Sequence, residues 1–531
     1  MKLRNRTIMF GAAGALLAAC VIGSVAGQAA ASPRASSPVA FGRVISQHSG
    51  SVALAGTVNV ATLPRYSRST HGAVRIPLRR GPQSPSRGAS ASPSDTSTAS
   101  LLTTVTPGTP LSGTLGDGDN NAVGEGQLTP PDMGFSANGT NEVELINLVG
   151  KIWTGTTPGT AFSLANFFSP SSPGDSLSDP WIKWDAGSGR FFAGIFDISL
   201  GGEIIAVSQT SNPGGTWFLY RIQYPSTAGG ITAGGCPDQG KGGVDKNVVG
   251  LGFNEFSESG VAGCPNAATF QGAALEVFNK SQMLAGATVN FVFTDPLPTY
   301  FSLVPADTLT ASATTEYFAS LNSGTGTALH RVTSVGVPPG TVTLSAPADI
   351  TVPSYSNPPA ATQKGTTKKI DSGDDRTQNV VALGTKMTVT ATVGCKPSGD
   401  TTTRSCGRVY EVNNGTNTLR ASRTISASGK YFFYPAATLV GTGTVGVSIG
   451  QSSGTTFGSL YTTAGTWGGT LAAPVLVKAG TATNTTGRYG DYNAAAPQPG
   501  TTNQFWVAGE IGGTSGTSFK WNTAAGPVTA S

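Results

Sequence analysis

Charge is scarce in this chain. Of 531 residues only 11% are Asp, Glu, Lys or Arg. Histidine is rarer still, with three, and there are five cysteines. The shortage of histidine argues against Ser-His-Asp hydrolysis. His48 and His71 fall in a low-complexity N-terminal stretch, which leaves His330 alone, and a single His beside a strand reads as structural. No Cys-x-x-Cys spacing occurs and no His lies near a cysteine, so a zinc site lacks its donors. No metal or cofactor is expected. Helix formers are scarce as well. What the chain has in abundance is Gly (72 residues), Pro (34), Thr, Ser and Val. That mixture suits many short strands joined by tight turns.

Residues 1–31 read as an export signal. Lys2, Arg4 and Arg6 precede an apolar stretch from Ile8 to about Gly27, and Ala29-Ala30-Ala31 offers a small-residue cleavage site. Two other readings stay open: a membrane anchor of nearly the same length, and lipidation at Cys20, which ends the lipobox-like Leu17-Ala18-Ala19-Cys20. Export places the other cysteines, Cys236, Cys264, Cys395 and Cys406, in an oxidising compartment. Four cysteines allow three pairings, and short loops favour Cys236–Cys264 with Cys395–Cys406.

The formal net charge of +5 is misleading. Residues 1–100 hold 11 basic residues and one acid, Asp95, so the remainder carries a net −5. A mildly acidic globular part gives no reason to expect nucleic acid as a partner. The excess of arginine lies in residues 32–110, a Ser/Pro/Ala/Arg-rich segment expected to be a disordered linker or propeptide. Within it, "SVALAGTVNVATLP" (51–64) alone has the alternation of a strand.

From residue 111 to 531 the pattern is that of one all-β domain. The clearest stretch is 179–223, with apolar runs at Trp181–Trp184, Phe191–Ile198, Glu203–Gln209 and Trp217–Ile222. Connections of a few Gly-containing residues make this a four-stranded antiparallel meander. Related patterns recur near 140–165, 244–297, 316–335, 378–425, 429–453 and 487–511. Six or seven units over about 400 residues predict a β-propeller. A pair of β-sandwiches is the rival.

The turn in "SQTSNPGGTW" (208–217) resembles the Asp-box of sialidase-type propellers: Thr210, Asn212 in place of the Asp, Gly214, Thr216 and Trp217. An Asn side-chain oxygen can close such a turn, Gly214 can take a positive φ, and Trp217 can pack beneath the hairpin. This box (or BNR) motif implies a place between the third and fourth strands of a blade. "PPDMGFSANGTNEVELINLVGKIW", "DPWIKWDAGSGRFF", "YPAATLVGTGTVGVSIGQSS" and "GRYGDYNAAAPQPGTTNQFWVAGE" are similar to segments of exported bacterial proteins with a sialidase-like propeller and mostly no assigned activity. The resemblance implies the fold and little chemistry.

Sialidase chemistry needs three converging arginines, a Tyr–Glu pair and an Asp. Candidate arginines are Arg190, Arg221, Arg331, Arg376, Arg408 and Arg488, while the Arg75-Ile76-Pro77 triplet lies in low-complexity sequence. Asp179, Asp185, Asp491 and Glu510 could instead meet as a two-carboxylate site. Asp117-Gly-Asp119-Asn-Asn121 opens like a calcium loop, but Ala122 and Leu128 break the pattern, and a flexible polar loop is expected. The best ligand-binding candidates are Arg488, Tyr489, Asp491, Tyr492, Trp506 and Glu510, which combine flat aromatic faces with polar groups, as sugar recognition requires. The expectation is a secreted, monomeric, non-catalytic protein that binds a carbohydrate or other surface ligand. A glycoside hydrolase or lyase, and a lipid-anchored adhesive protein held by Cys20, are the alternatives.

Overall fold

A computed structural model describes residues 43–66, 74–75, 104–172, 174–224, 235–257, 269–321, 326–346, 349–513 and 521–531. The expected export signal, Cys20, Cys264 and much of the arginine-rich segment lie outside them. The described chain is almost entirely β. No helix in it is long and apolar enough to cross a membrane.

Seven antiparallel ladders follow one another. The first is built on Gly134–Ala137, Asn141–Ile146 and Val149–Thr154, with Thr157–Pro158 outermost. The second is Leu177–Asp185, Arg190–Asp197, Gly202–Ser208 and Thr216–Gln223. The third is Gly235–Val244, Val248–Ser257, Thr269–Asn279 and Val289–Phe293. The fourth starts at Val304–Pro305 and continues through Thr315–Leu321, Ala328–Val335 and Thr343–Ala346. The fifth is Thr377–Leu383, Lys386–Cys395, Arg404–Asn413 and Thr418–Ile425. The sixth is Tyr431–Val440, Thr444–Ser453, Thr456–Thr466 and Val475–Lys478. The seventh is Ala494–Pro497, Gln504–Gly512 and Trp521–Ala530, completed by Val105–Pro107 from far earlier in the chain.

Alternation explains how the ladders pack. In a strand, neighbouring side chains point to opposite faces, and here both faces are apolar. Phe191 and Ala193 join Val143 and Leu145 of the first sheet, while Phe192 joins Leu251 and Phe253 of the third. The same rule repeats at every junction. Val277 meets Val332, Ala319 meets Val389, and Val409 meets Val447. Leu460 meets Phe505, and Trp506 of the seventh sheet meets Phe135 of the first. The leading strands also touch in sequence, from the first sheet to the seventh and back to the first.

The N-terminal segment carries more strand than alternation suggested. Arg43–Val44, His48–Val52 and Gly56–Asn59 add to the outer edges of the fourth, third and second sheets. Exposed edges carry unpaired N–H and C=O groups, which these strands cover. The Cys395–Cys406 disulfide joins neighbouring strands of the fifth sheet. The other expected pairing involves Cys264, outside the described residues.

Two local expectations need correction. Asp117–Ala122 is a short helix rather than a loop, and Asp119 accepts a hydrogen bond from the Gly116 N–H at 2.9 Å. The 208–217 turn does join the third and fourth strands of its sheet, and Asn212 Oδ1 accepts from Gly214 N at 2.9 Å. Trp217 is buried and donates to the Pro213 carbonyl. Gly214, however, does not take a positive φ. It is small because a Cβ there would come within 3.2 Å of Asn212 Oδ1.

Candidate functional site

The leading strands do not start smoothly. Asp132, Asp179, Gln239, Ser302 and Tyr434 all have φ between 44° and 59°, in the left-handed region. Such residues cost of order 1–3 kcal/mol each unless their surroundings hold them. Each stands two residues ahead of one that faces a common cavity: Gly134, Trp181, Lys241, Val304 and Ala436. Asn379 and Ala494 bring in the remaining two sheets. Residues from all seven leading strands thus line one solvent-open cavity of about 60 Å³.

Side chains hold the strained amides in place. Asp179 N donates to Asn147 Oδ1 at 2.9 Å, Ser302 N to Asn254 Oδ1 at 2.7 Å, and Tyr434 N to Thr392 Oγ1 at 2.8 Å. Trp181 fits because it lies against two glycines, Gly194 and Gly242, where any Cβ would sit about 2.4 Å from its ring. Its indole N–H donates to Glu203 at 2.8 Å.

Behind the cavity runs a buried polar network. Asp132 accepts from Asp491 N at 2.7 Å and from Asn147 Nδ2 at 2.9 Å. Asp491 pairs with Arg488 at 2.7 Å. Tyr492 donates to Asp179 at 3.2 Å, and Lys241 Nζ lies over the Tyr492 ring. Arg376 forms a two-pronged pair with Asp374, at 2.5 and 2.7 Å. Burial raises the Asp132 carboxyl well above its usual range, and the nearby charges of Asp491 and Asp179 raise it further. Burial also raises Asp179, against the pull of Lys241. The Lys241 ammonium is pushed down to about 7, chiefly because it is desolvated.

The six ligand-binding candidates separate here. Arg488, Asp491 and Tyr492 belong to the network, and Tyr492 also lines the cavity. Tyr489 packs against Phe433, with ring centroids 5.1 Å apart, and donates to the Glu510 carbonyl. The Glu510 carboxylate accepts from Asn484 Nδ2 at 3.1 Å and from Gly490 N, which ties down the loop. Trp506 is buried against Phe135. Neither Tyr489 nor Trp506 has a free face for a sugar. Among the carboxylates, Asp185 lies at the far end of its strand, paired with Lys280 at 2.5 Å. The arginines do not converge. Arg190 binds the Ser208 carbonyl, Arg221 binds Asp197 and Asp175, Arg331 binds Asn414, and Arg408 binds Ser422. His330 pairs with Asp349.

Sequence reasoning missed Asp132, Asn147, Lys241, Tyr434 and Gln378. The usable signal was positional. "PPDMGF" and "SDPWI" each place an Asp two residues before a cavity-facing position, but alternation does not mark an irregular residue before or within a strand.

No family model matches the chain, and no curated protein does. Solved structures give distant likenesses. A Trypanosoma rangeli sialidase in complex with 2,3-difluorosialic acid matches at 11% identity and TM-score 0.34, over 67% of this chain and 54% of that one. The chain therefore spans about half the length of that sialidase. A polysaccharide lyase, ulvan lyase, matches at 10% identity and TM-score 0.35, over 80% and 94%. The NanB sialidase of Streptococcus pneumoniae matches at 8% identity and TM-score 0.33, over 73% and 83%.

Proposed function

We propose that the seven ladders are the blades of a closed β-propeller and that its axial cavity binds a carbohydrate or similar polar extracellular ligand without turning it over. Seven apolar junctions, the last joining the seventh sheet to the first, support the closed ring. The binding reading rests on one observation: the polar groups that face the cavity differ from those behind it. Gln378 lines the cavity, and its Oε1 has no hydrogen-bond partner among the described residues. Lys241 and Lys183 are the charged side chains in the lining. Behind them, Arg376 and Arg488 are committed to Asp374 and Asp491, so no clamp of three arginines is available. A few polar groups on an otherwise apolar wall orient a ligand.

The test is glycan-array binding by the mature chain, with Gln378→Ala and Tyr492→Ala alongside. Retention of defined glycans by the parent and their loss in Gln378→Ala supports the reading. Equal, featureless signal from all three proteins rejects it.

A hydrolase or lyase is the second reading, and one feature favours it. A lysine pushed down to about 7, over a tyrosine that is bonded to a carboxyl group, is suited to proton transfer near neutral pH. Turnover of aryl glycosides or acidic polysaccharides that disappears in Lys241→Met would establish it. The export signal points to a secreted protein. Mass spectrometry of the mature N-terminus distinguishes this from lipid attachment at Cys20.

A further inference from the structure

The leading strands end at a second cavity, opposite the first. It has a volume of about 240 Å³ and lies where Trp184, Leu383, Leu439 and Pro497 close the second, fifth, sixth and seventh sheets. Asp307–Thr308, a short strand that pairs in parallel with both the third and fifth sheets, forms another wall. We infer that this cavity is a binding site for an organic cation: a primary ammonium group on a small apolar body.

Three observations carry the inference. First, the charges are of one sign. Asp185 and Asp307 are the charged side chains in the lining, whereas the opposite cavity presents only lysines. Second, the two acids differ in how far they are occupied. Asp185 is held by Lys280 at 2.5 Å and by the N–H groups of Gly187 and Ser188 at 3.1 and 3.0 Å. The Asp307 carboxylate has, among the described residues, a single polar contact: Lys183 Nζ at 3.7 Å, beyond hydrogen-bond length. Third, Thr308 also lines the cavity, is 8% exposed, and its hydroxyl has no partner among the described residues. A buried hydroxyl without a partner is costly, and a ligand N–H would satisfy it.

An ammonium between Asp307 and Thr308 would donate to both. Its apolar body would lie against half-buried Trp184, and an aromatic face also favours a cation. Lys183 reaches Asp307 from its place in the lining of the other cavity, so the bound ammonium shares the carboxylate with it. Affinity is therefore modest.

The experiment uses the full chain and phenethylamine as the probe, followed by saturation-transfer NMR and calorimetry. Phenethyl alcohol and hydrocinnamate serve as uncharged and anionic controls. The amine should bind saturably and the anion should not. Asp307→Asn and Thr308→Val should each weaken the amine about tenfold, while circular dichroism shows both folded. Lys241→Met, in the opposite cavity, should leave amine binding unchanged, which keeps this test separate from that of the carbohydrate reading. Three results would overturn the inference: no saturable binding to the folded parent, equal binding of the alcohol, or insensitivity to Asp307→Asn.

Discussion

The two ends of the leading strands differ in construction. At the starting end, five residues sit in left-handed backbone, and acids and arginines are buried and paired with one another. At the finishing end the walls are apolar, and one carboxylate is only loosely held. Five of the seven leading strands line both ends, so alternation alone cannot account for the difference. At the start, side chains on neighbouring segments hold the irregular backbone by hydrogen bonds. At the finish, regular strands simply run out into turns such as 185–188 and 497–501. Rigidity therefore concentrates at the starting mouth, while each mouth keeps an unbonded polar group among the described residues, Gln378 Oε1 at the start and the Thr308 hydroxyl at the finish.

Four perturbations sharpen this contrast, taken from the largest expected effect to the smallest. Arg488→Met leaves Asp491 buried without its partner, and breaking such a pair should cost about 3–5 kcal/mol. Chemical denaturation measures the loss, and Arg488→Met with Asp491→Asn should recover part of it. A loss below about 1 kcal/mol would mean that the network at the starting end is not a tightly held unit.

Asp132→Ala removes the acceptor for both Asp491 N and Asn147 Nδ2 and leaves a residue poorly suited to φ 44°. About 2–3 kcal/mol of destabilisation is expected, against a smaller loss for Asp132→Asn, which keeps an acceptor and tolerates that backbone. Equal effects of the two variants would detach the strain from the side-chain bonds.

The pH dependence tests two further buried carboxyls, Glu203, which accepts from Trp181 beside the starting mouth, and Glu255. Burial pushes Glu203 and Glu255 up to about 8. A folded-state value above the unfolded one means that the folded chain keeps protons the unfolded chain gives up. Their contribution is therefore present below about pH 4.5 and lost as pH rises towards 8. Lys241 acts in the opposite direction, since its lowered value favours folding progressively from about pH 7 upwards. Melting temperature should fall between pH 5 and 8, and Glu203→Gln should flatten that fall. A rising melting temperature across this range would contradict the assignment.

The smallest effect belongs to the 208–217 turn. Asn212→Ala removes the bond to Gly214 N and should cost about 1 kcal/mol. Gly214→Ala should cost less than the removal of a left-handed glycine, because its backbone is not left-handed. Differential scanning calorimetry of the two variants separates a turn closed by its side chain from one closed by its glycine.

Much of the fold was legible in the residues. The quartet at 179–223 matches the strands Leu177–Asp185 through Thr216–Gln223 within a few residues, because its apolar runs and Gly-bearing turns are local signals. The third sheet was read as beginning at about 244, but it starts at Gly235, where "CPDQGKGG" shows no apolar alternation. The fourth was read from its second strand, since its two-residue leading strand Val304–Pro305 is too short to show a period. The candidate site was less legible. "RYGDY" did point to Arg488, Asp491 and Tyr492, but the partners Asp132 of Asp491 and Asp179 of Tyr492 lie more than 300 residues away.

The sequence by itself determined the class of structure. Apolar alternation and glycine-bearing turns act over a few residues, so strand, turn and repeat are written locally. Only the tertiary structure decided which side chains face the two cavities, which charges cancel in pairs and which polar groups remain vacant. Those outcomes depend on backbone irregularities and on neighbours from distant sheets, and a local pattern encodes neither.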